Sequence, residues 1–227
     1  MVTTRSVLFV PGPDPDRIED AVESDADLVI LDLEHSADTF ASGADGRRVR
    51  TAVERWRNEP HRIGVRIHRL DTKRGFADVA AIADADVVPD VVCIPDVEYA
   101  HQLSPAAAVL AEAGADLFPL IESPRGVFEA RSIVSTVPSV TMVGFGPSDF
   151  RDRMGTSDVA DPDLTVPRHL VVMAASAGGV AAIDMPSFQA GDEETRADAV
   201  AARAMGYDGK IAISRSGVHI ANDVFSD

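Results

Sequence analysis

The sequence predicts a single-domain α/β protein over residues 1–227, built as a parallel (β/α)8 barrel, the TIM-barrel fold. Two observations support this prediction. Eight short apolar runs recur along the chain, and the segments between them carry apolar residues at helical spacing. Most of these runs are almost continuously apolar rather than alternating, as in strands that are buried on both faces of a parallel sheet.

The eight predicted strands follow one another at a mean spacing of roughly 28 residues, which is compact for a fold whose usual length is about 250 residues. In chain order they are SVLFV (6–10), DLVILDL (27–33), RIGVRI (62–67), DVVCIP (90–95), LFPLIE (117–122), TMVGFG (141–146), VAAIDM (180–185) and KIAIS (210–214). The predicted helices fill the gaps, for example around Val49, Val53 and Trp56, where apolar residues recur three or four positions apart. A polar stretch at 152–167 is longer than the other connections and is a candidate lid.

A doubly wound open sheet is the alternative architecture. The first predicted strand leads into VPGPDPDR (10–17) instead of a GxGxxG turn, and the sequence contains no Walker A motif. No linker, charge block or low-complexity stretch divides the chain, so a single barrel domain is the preferred interpretation.

The composition predicts an acidic protein that binds neither nucleic acid nor a membrane. The chain has 37 Asp and Glu against 21 Lys and Arg, a formal net charge of −16, whereas phosphate-backbone binding needs the opposite sign. Carboxylates spread along the whole chain indicate a halophilic surface; a merely acidic protein is the alternative. No apolar run is long enough for a membrane span or signal peptide, so we expect a soluble, cytoplasmic protein. The single cysteine, Cys93, lies in an apolar run and is expected in the core.

Polar residues stand at the carboxyl ends of several predicted strands. In a parallel barrel these ends converge on one face, where the active sites of this fold lie. The candidates are Asp32, Glu34 and His35 after the second strand, Arg66 and His68 after the third, Glu122 after the fifth, Asp149 after the sixth and Asp184 in the seventh. The sequence therefore predicts a polar, mostly acidic site at one end of the barrel.

Glu122 and Asp149 are predicted to bind Mg²⁺, with Mn²⁺ as an alternative ion. Mg²⁺ prefers hard oxygen ligands and keeps several of its waters, so two carboxylates from separate strands are a sensible site. Arg66 presents a planar fork that can hold a substrate carboxylate by two charge-assisted bonds. Its alternative role is to neutralise Asp32 or Glu34, and the two roles are compatible.

Motifs spread over nearly the entire chain resemble the citrate lyase β-subunit-like branch of the HpcH/HpaI aldolase/citrate lyase family. They are, in chain order, LFVPG (8–12) with Arg17, LDLEH (31–35), VRI (65–67), PLIES (119–123) with Gly126, FGPSD (145–149) and GYDGKIAI (206–213). The resemblance implies Mg²⁺ on Glu122 and Asp149, the carboxylate of a 2-oxo acid on Arg66, and support from Glu34 and Asp32. It implies a carbon–carbon lyase that cleaves a hydroxyacyl-CoA or related thioester into a 2-oxo acid and an acyl thioester. It also implies a homo-oligomer, a trimer or hexamer.

The sequence departs from the family pattern in four places. His35 replaces the second acid of the usual DLED, and Asp-x-Glu-His is similar to the pyruvate aldolase branch, in which the histidine takes part in proton transfer. Asp96 stands where the family has Lys, and Ser214 and Arg215 stand where it has His-Pro, so two basic or histidine positions near the expected cofactor side are missing. The chain ends at Asp227 without the extension that supplies a catalytic acid in malyl-CoA lyases, which argues against a lyase of that kind.

These departures leave two alternatives to a thioester lyase. One is a class II pyruvate-type aldolase that acts on a free hydroxy-oxo acid, and the other is a degenerate paralogue that binds a 2-oxo acid without turnover. His35 is either a general acid or base or a rim histidine. Arg17 either meets a phosphate of the thioester or is a helix-surface charge, and Asp184 faces either the pocket or the inner layer of the barrel.

Overall fold

The computed structural model describes residues 4–11, 14–56, 61–160, 162–188 and 191–226, which form a closed barrel of eight parallel strands. The strands are β1 (Ser6–Val10), β2 (Leu28–Asp32), β3 (Arg62–Arg66), β4 (Val91–Ile94), β5 (Asp116–Ile121), β6 (Met142–Phe145), β7 (Ala181–Asp184) and β8 (Gly209–Ala212). Each strand pairs with the next along the chain, and β8 pairs with β1 to close the barrel. The predicted fold is confirmed, and each predicted strand overlaps an observed one to within two residues at either end.

Helices follow the strands around the outside of the barrel. Those in the described residues are α1 (Pro15–Val22), α2 (Gly43–Trp56), α3 (Lys73–Ala83), α4 (Ala100–Ala113), α5 (Pro124–Thr136), α6 (Pro147–Met154), α7 (Thr165–Gly178), α8 (Asp192–Met205) and α9 (Arg215–Val224). Two helices, α6 and α7, follow β6. They shorten the polar loop predicted at 152–167 to the stretch 155–164, in which Asp161 lies outside the described residues.

Side chains alternate along each strand between the barrel interior and the layer under the helices. The interior cluster consists of Val7, Phe9, Leu28, Ile30, Val91, Cys93, Phe118, Leu120, Met142, Ile183 and Ile211. Their strand neighbours pack outward against the helices in a second, larger apolar cluster. Cys93 is fully buried, as predicted.

The inward-facing rows continue to the carboxyl end of the barrel, where they become polar. Asp32 follows Ile30 in its row and pairs in register with Arg66, and Glu122 follows Leu120. Because successive side chains on a strand point to opposite faces, residues two apart share a face. The strand geometry thus delivers these three side chains to one spot.

Several helices begin with a hydroxyl cap next to this spot. The side chains of Thr72, Ser123 and Ser214 each accept a hydrogen bond from the backbone N–H of the glycine three residues later. Such caps are worth about 1 kcal/mol each. Among the described residues, no helix is both long enough and apolar enough to cross a membrane.

Candidate active site and metal centre

A cavity of about 500 Å³ opens at the carboxyl ends of the strands. All seven residues predicted for catalysis, metal binding or cofactor binding line it: Arg17, Asp32, Glu34, His35, Arg66, Glu122 and Asp149. Its remaining wall is largely apolar and includes Phe9, Leu120, Phe145, Phe188 and Ile211. A groove of about 510 Å³ lies apart from these residues, between α1 and α2.

Three carboxylates meet in this cavity. One oxygen atom from each of Glu34, Glu122 and Asp149 lies within 4.8 Å of the other two. Oxygens on opposite sides of a Mg²⁺ ion stand about twice 2.1 Å apart, so the three carboxylates fit around one ion after small adjustments. The structure brings the predicted pair together and adds Glu34, which the sequence indicated only as a supporting residue.

The electrostatics of the three carboxylates also suit a cation. Burial raises the pKa of Glu122 to about 8, and the neighbouring charge of Glu34 adds to the effect. Burial likewise raises the pKa of Glu34, against the opposing charge of Arg66. A divalent cation would offset both the desolvation and the mutual repulsion of these groups, as expected for residues that hold a metal ion.

Arg66 lies between two carboxylates at the edge of the cavity. Its Nε and Nη2 donate to Asp32 at 2.8 and 2.5 Å, and its Nη1 lies 2.6 Å from Oε2 of Glu34. Burial opposes the charge of Arg66, but these two acids outweigh it and raise the pKa of the guanidinium. The neutralising role is therefore present in the structure, and the substrate-binding role stays a prediction.

A close approach between β6 and Glu122 requires a glycine. A Cβ atom on Gly146 would lie 2.3 Å from Oε1 of Glu122, much nearer than real Cβ contacts. Gly146 is the N-cap of α6, whose first turn carries Asp149. Because the first N–H groups of a helix have no partner within it, this turn also offers backbone donors to an anionic ligand at the cavity.

His35 and Arg17 stand at the rim. The His35 side chain is 81 % exposed, and its Nε2 lies 3.9 Å from Oε2 of Glu34. Arg17 is exposed on α1 and lines both the main cavity and an adjoining groove of about 220 Å³ that also contains Arg215. Both residues are thus within reach of a ligand that extends out of the cavity.

Asp96 is a residue whose importance the sequence did not reveal. It follows β4, its side chain is only 2 % exposed, and its backbone has a positive φ of 54°. Its backbone N–H donates to Oε2 of Glu122 at 2.9 Å. The available signal was its position after a strand end, but the sequence alone indicated only a missing lysine.

The other polar candidates lie outside the cavity. His68 is buried, with Nδ1 2.7 Å from Asp78 and Nε2 3.0 Å from the carbonyl of Ser36. Asp184 accepts hydrogen bonds from Arg168 and Lys210. Its strand neighbour Ile183 points into the barrel, so Asp184 points outward, toward the helices, and neither predicted placement of Asp184 holds.

The chain is similar to known proteins of one family. A family model described as HpcH/HpaI aldolase/citrate lyase matches residues 5–215. A (3S)-malyl-CoA thioesterase of Cereibacter sphaeroides is 32% identical over 225 residues, covering 98% of this chain and 77% of the relative.

Two solved structures from Mycobacterium tuberculosis are similar in fold. The citrate lyase β subunit complexed with oxaloacetate and magnesium has a TM-score of 0.75 and 26% identity, with 100% of this chain and 98% of that one covered. Protein CitE in complex with magnesium, acetoacetate and coenzyme A has a TM-score of 0.80 and 26% identity, with 100% and 82% covered.

Proposed function

Since the chain belongs to the HpcH/HpaI aldolase/citrate lyase family, we propose that it is a Mg²⁺-dependent carbon–carbon lyase that cleaves a hydroxyacyl-CoA thioester. The products would be a 2-oxo acid and an acyl-CoA, as for a citramalyl-, malyl- or citryl-thioester lyase. The observation that carries the proposal is the convergence of Glu34, Glu122 and Asp149 in a cavity that also contains Arg66.

The reaction requires one proton to leave a hydroxyl and one carbon–carbon bond to break. The hydroxyl carbon becomes the carbonyl of the 2-oxo acid, and the electron pair of the broken bond passes to the carbon next to the thioester, which then takes up a proton. A bound Mg²⁺ would supply positive charge near the oxygens of the 2-oxo acid portion. Glu122, Asp149 and Glu34 are the residues that would hold the ion.

Backbone and side-chain groups of this protein supply the remaining functions. In the proposed arrangement, the backbone N–H groups at the start of α6 and the guanidinium of Arg66 orient the carboxylate of the 2-oxo acid portion. Asp32 holds Arg66 in place through two hydrogen bonds. The apolar wall that includes the buried rings of Phe9 and Phe145 would limit the access of water to the carbon that receives the electron pair.

The thioester portion would leave the cavity along its rim. Arg17 is the charged residue we assign to a phosphate of coenzyme A, because it lines the cavity and is exposed to solvent. A related structure in complex with coenzyme A and magnesium supports this ligand class.

The direct test uses purified protein, Mg²⁺ and three substrates, citramalyl-CoA, malyl-CoA and citryl-CoA. We expect pyruvate, glyoxylate or oxaloacetate, respectively, from at least one of them, and loss of the product with Glu122→Gln. Because the surface is acidic, the assay should be run in both low and high KCl. The proposal fails if none of the three is cleaved under either condition while the protein remains folded.

Thioester hydrolysis is a second candidate, because a relative covering nearly the whole chain is named a malyl-CoA thioesterase. The same assay separates the two reactions. Hydrolysis of malyl-CoA yields malate and free coenzyme A, whereas cleavage of the carbon–carbon bond yields glyoxylate and acetyl-CoA. Detection of free thiol without glyoxylate would assign the chain to hydrolysis.

A pyruvate-type aldolase is a third candidate, and the placement of His35 beside Glu34 favours it. An imidazole at the rim is able to move a proton to or from the methyl carbon of pyruvate. This reaction predicts metal-dependent exchange of the pyruvate methyl protons in D₂O, lost in His35→Ala. Binding of metal and 2-oxo acid with neither exchange nor cleavage would instead indicate a degenerate paralogue.

We further propose that the enzyme acts in the cytoplasm as a closed homo-oligomer, a trimer or hexamer. Closed homo-oligomers are the commonest form of soluble assembly, and the resemblance to the family supports these two sizes. Analytical ultracentrifugation in high and low KCl gives the assembly state directly. A monomer at all protein concentrations would exclude this arrangement.

A further inference from the structure

Asp96 contacts the candidate metal site without being one of its three converging carboxylates. It follows β4, whereas Glu122 directly follows β5 and Asp149 lies in the first turn of α6. The Asp96 side chain is buried, and its Oδ2 is bound by two arginines, Arg69 at 2.8 Å and Arg153 at 2.5 Å. Three separate segments are therefore tied together at one carboxylate.

The backbone of Asp96 is the feature that faces the metal site. Its φ of 54° is a left-handed conformation, which Asp and Asn adopt more readily than other residues with a side chain. In this conformation the N–H donates to Oε2 of Glu122 at 2.9 Å. One oxygen of Glu122 is thus held by the backbone, which determines how the other oxygen is presented to the cavity.

The side chain of Asp96 links this contact to the second predicted ligand. Arg153 also contacts Glu98 at 2.7 Å, and it lies one helical turn after Asp149 on α6. The Asp96–Arg153 pair therefore connects the loop after β4 to the helix that carries Asp149. Arg69 connects the same carboxylate to the loop after β3.

We infer that Asp96 is a positioning residue for the metal site: its left-handed backbone orients Glu122, and its ion pairs hold that backbone against the helix of Asp149. The inference rests on the proposed function only in that Glu122 and Asp149 bind the ion. It gives a role to the aspartate that replaces the family's lysine. Groups that orient metal ligands typically contribute about 10–100-fold to metal affinity.

Two variants that both lack the carboxylate distinguish the effect of the backbone conformation on metal binding from the effect of the ion pairs. Asp96→Gly retains the N–H and adopts a positive φ freely, whereas Asp96→Val strongly disfavours it because valine is β-branched. Asp96→Asn retains the left-handed preference, the N–H and an oxygen for the arginines. The probe is Mn²⁺ alone, with its dissociation constant measured by electron paramagnetic resonance in the full chain.

We expect Asp96→Asn to bind Mn²⁺ within about threefold of the wild type, and Asp96→Val to bind at least about tenfold more weakly than Asp96→Gly. Saturating Mn²⁺ should restore most of the turnover of Asp96→Val, which a general loss of structure would not allow. Circular dichroism and the melting temperature of each variant report folding separately.

The inference is overturned if the Gly and Val variants bind Mn²⁺ equally, whether as tightly as the wild type or more weakly, or if Gly is the weaker. Failure of the proposed function has a different signature. In that case the wild-type chain itself binds no Mn²⁺ or cleaves no thioester, whereas failure of this inference alone leaves wild-type metal binding intact and the order of the variants wrong.

Discussion

At the scale of single residues, the site depends on one arginine shared between two acids. The guanidinium of Arg66 bonds Asp32 through two nitrogens and Glu34 through the third. A planar fork is needed for this geometry, and the single ammonium of lysine cannot reproduce it. Arg66 thereby contacts Glu34, one of the three carboxylates of the candidate metal site, and also lines the cavity.

Arg66→Lys should therefore lower kcat/KM by about 10–100-fold, which corresponds to the loss of a charge-assisted hydrogen bond worth about 1.5–3 kcal/mol. Steady-state kinetics checks the loss, and Arg196→Lys, in an exposed ion pair with Asp223, is the matched control that should change nothing. Affinity for the 2-oxo acid, measured by calorimetry with Mg²⁺ present, distinguishes the two roles of Arg66. A lower melting temperature with unchanged 2-oxo acid affinity would exclude the substrate clamp.

The raised pKa of Glu122 predicts how metal binding depends on pH. The carboxyl must lose its proton to bind the ion, and its pKa is raised to about 8 without one. Mn²⁺ affinity should therefore increase by up to about tenfold per pH unit below pH 8 and level off above it. Titrations at several pH values test this, and Glu122→Gln should reduce the slope and remove most of the affinity.

The same shift has a consequence for the metal-free chain. In the unfolded state Glu122 ionises near the ordinary value of 4.5, so between this pH and about 8 the unfolded chain has lost a proton that the folded chain retains. Stability without metal should fall as pH rises through this window, and Mg²⁺ should reverse the fall. A metal-dependent difference that stays constant from pH 5 to pH 8 would contradict the assignment.

At the scale of the elements, strand periodicity explains which of the strand-end residues reach the cavity and which does not. Asp32, Arg66 and Glu122 lie at strand ends, and all three also fall on inward-facing rows. Asp184 lies at a strand end too, but on the outward row. Counting alternate positions from the apolar interior residues would have excluded it.

Other features of the site depend on contacts that no local pattern encodes. The ion pairs of Arg66 with Asp32 and Glu34 were an open alternative in the sequence, and only the register between β2 and β3 decides them. The role of Asp96 depends on a left-handed backbone and on arginines from two distant segments. Neither leaves a periodic or compositional signal, so the sequence predicted which residues meet but not how they bond.

The outward-facing polar residues of β7 and β8 form a buried ionic cluster. Lys210 contacts Asp184 at 2.9 Å and Asp198 at 2.7 Å, while Arg168 binds both acids. Lys210 also donates to the carbonyl of Met185, in the loop that leads to the cavity wall. The cluster therefore joins the two strands to α7 and α8.

Replacing Lys210 should be strongly destabilising, because it leaves buried acids under-compensated. We expect Lys210→Met to lower the free energy of unfolding by about 3–5 kcal/mol, measured by urea titration at constant KCl. The control is Arg196→Met, which breaks the exposed pair with Asp223 and should cost at most about 1 kcal/mol. Similar losses in the two variants would mean that the buried cluster contributes no more than a surface pair.

At the scale of the whole molecule, the net charge of −16 is the dominant property. Like charges on a folded surface repel one another and destabilise the compact state, and salt reduces this repulsion. The screening length falls from about 10 Å at 0.1 M salt to about 3 Å at 1 M. The predicted halophilic surface is therefore testable as a dependence of stability on ionic strength.

The melting temperature should rise with KCl, and removing exposed acids should weaken that rise. Asp86 and Glu112 are both exposed, and replacing both with lysine raises the net charge by four. The double variant should melt higher than the wild type in low KCl, by roughly 2–4 °C if repulsion falls by about 1 kcal/mol, and should gain less from added KCl. Because general salt effects on apolar burial act on both proteins alike, the difference between the two curves isolates the charge contribution. Parallel curves would show that the acidic surface is not an adaptation of folding stability to salt.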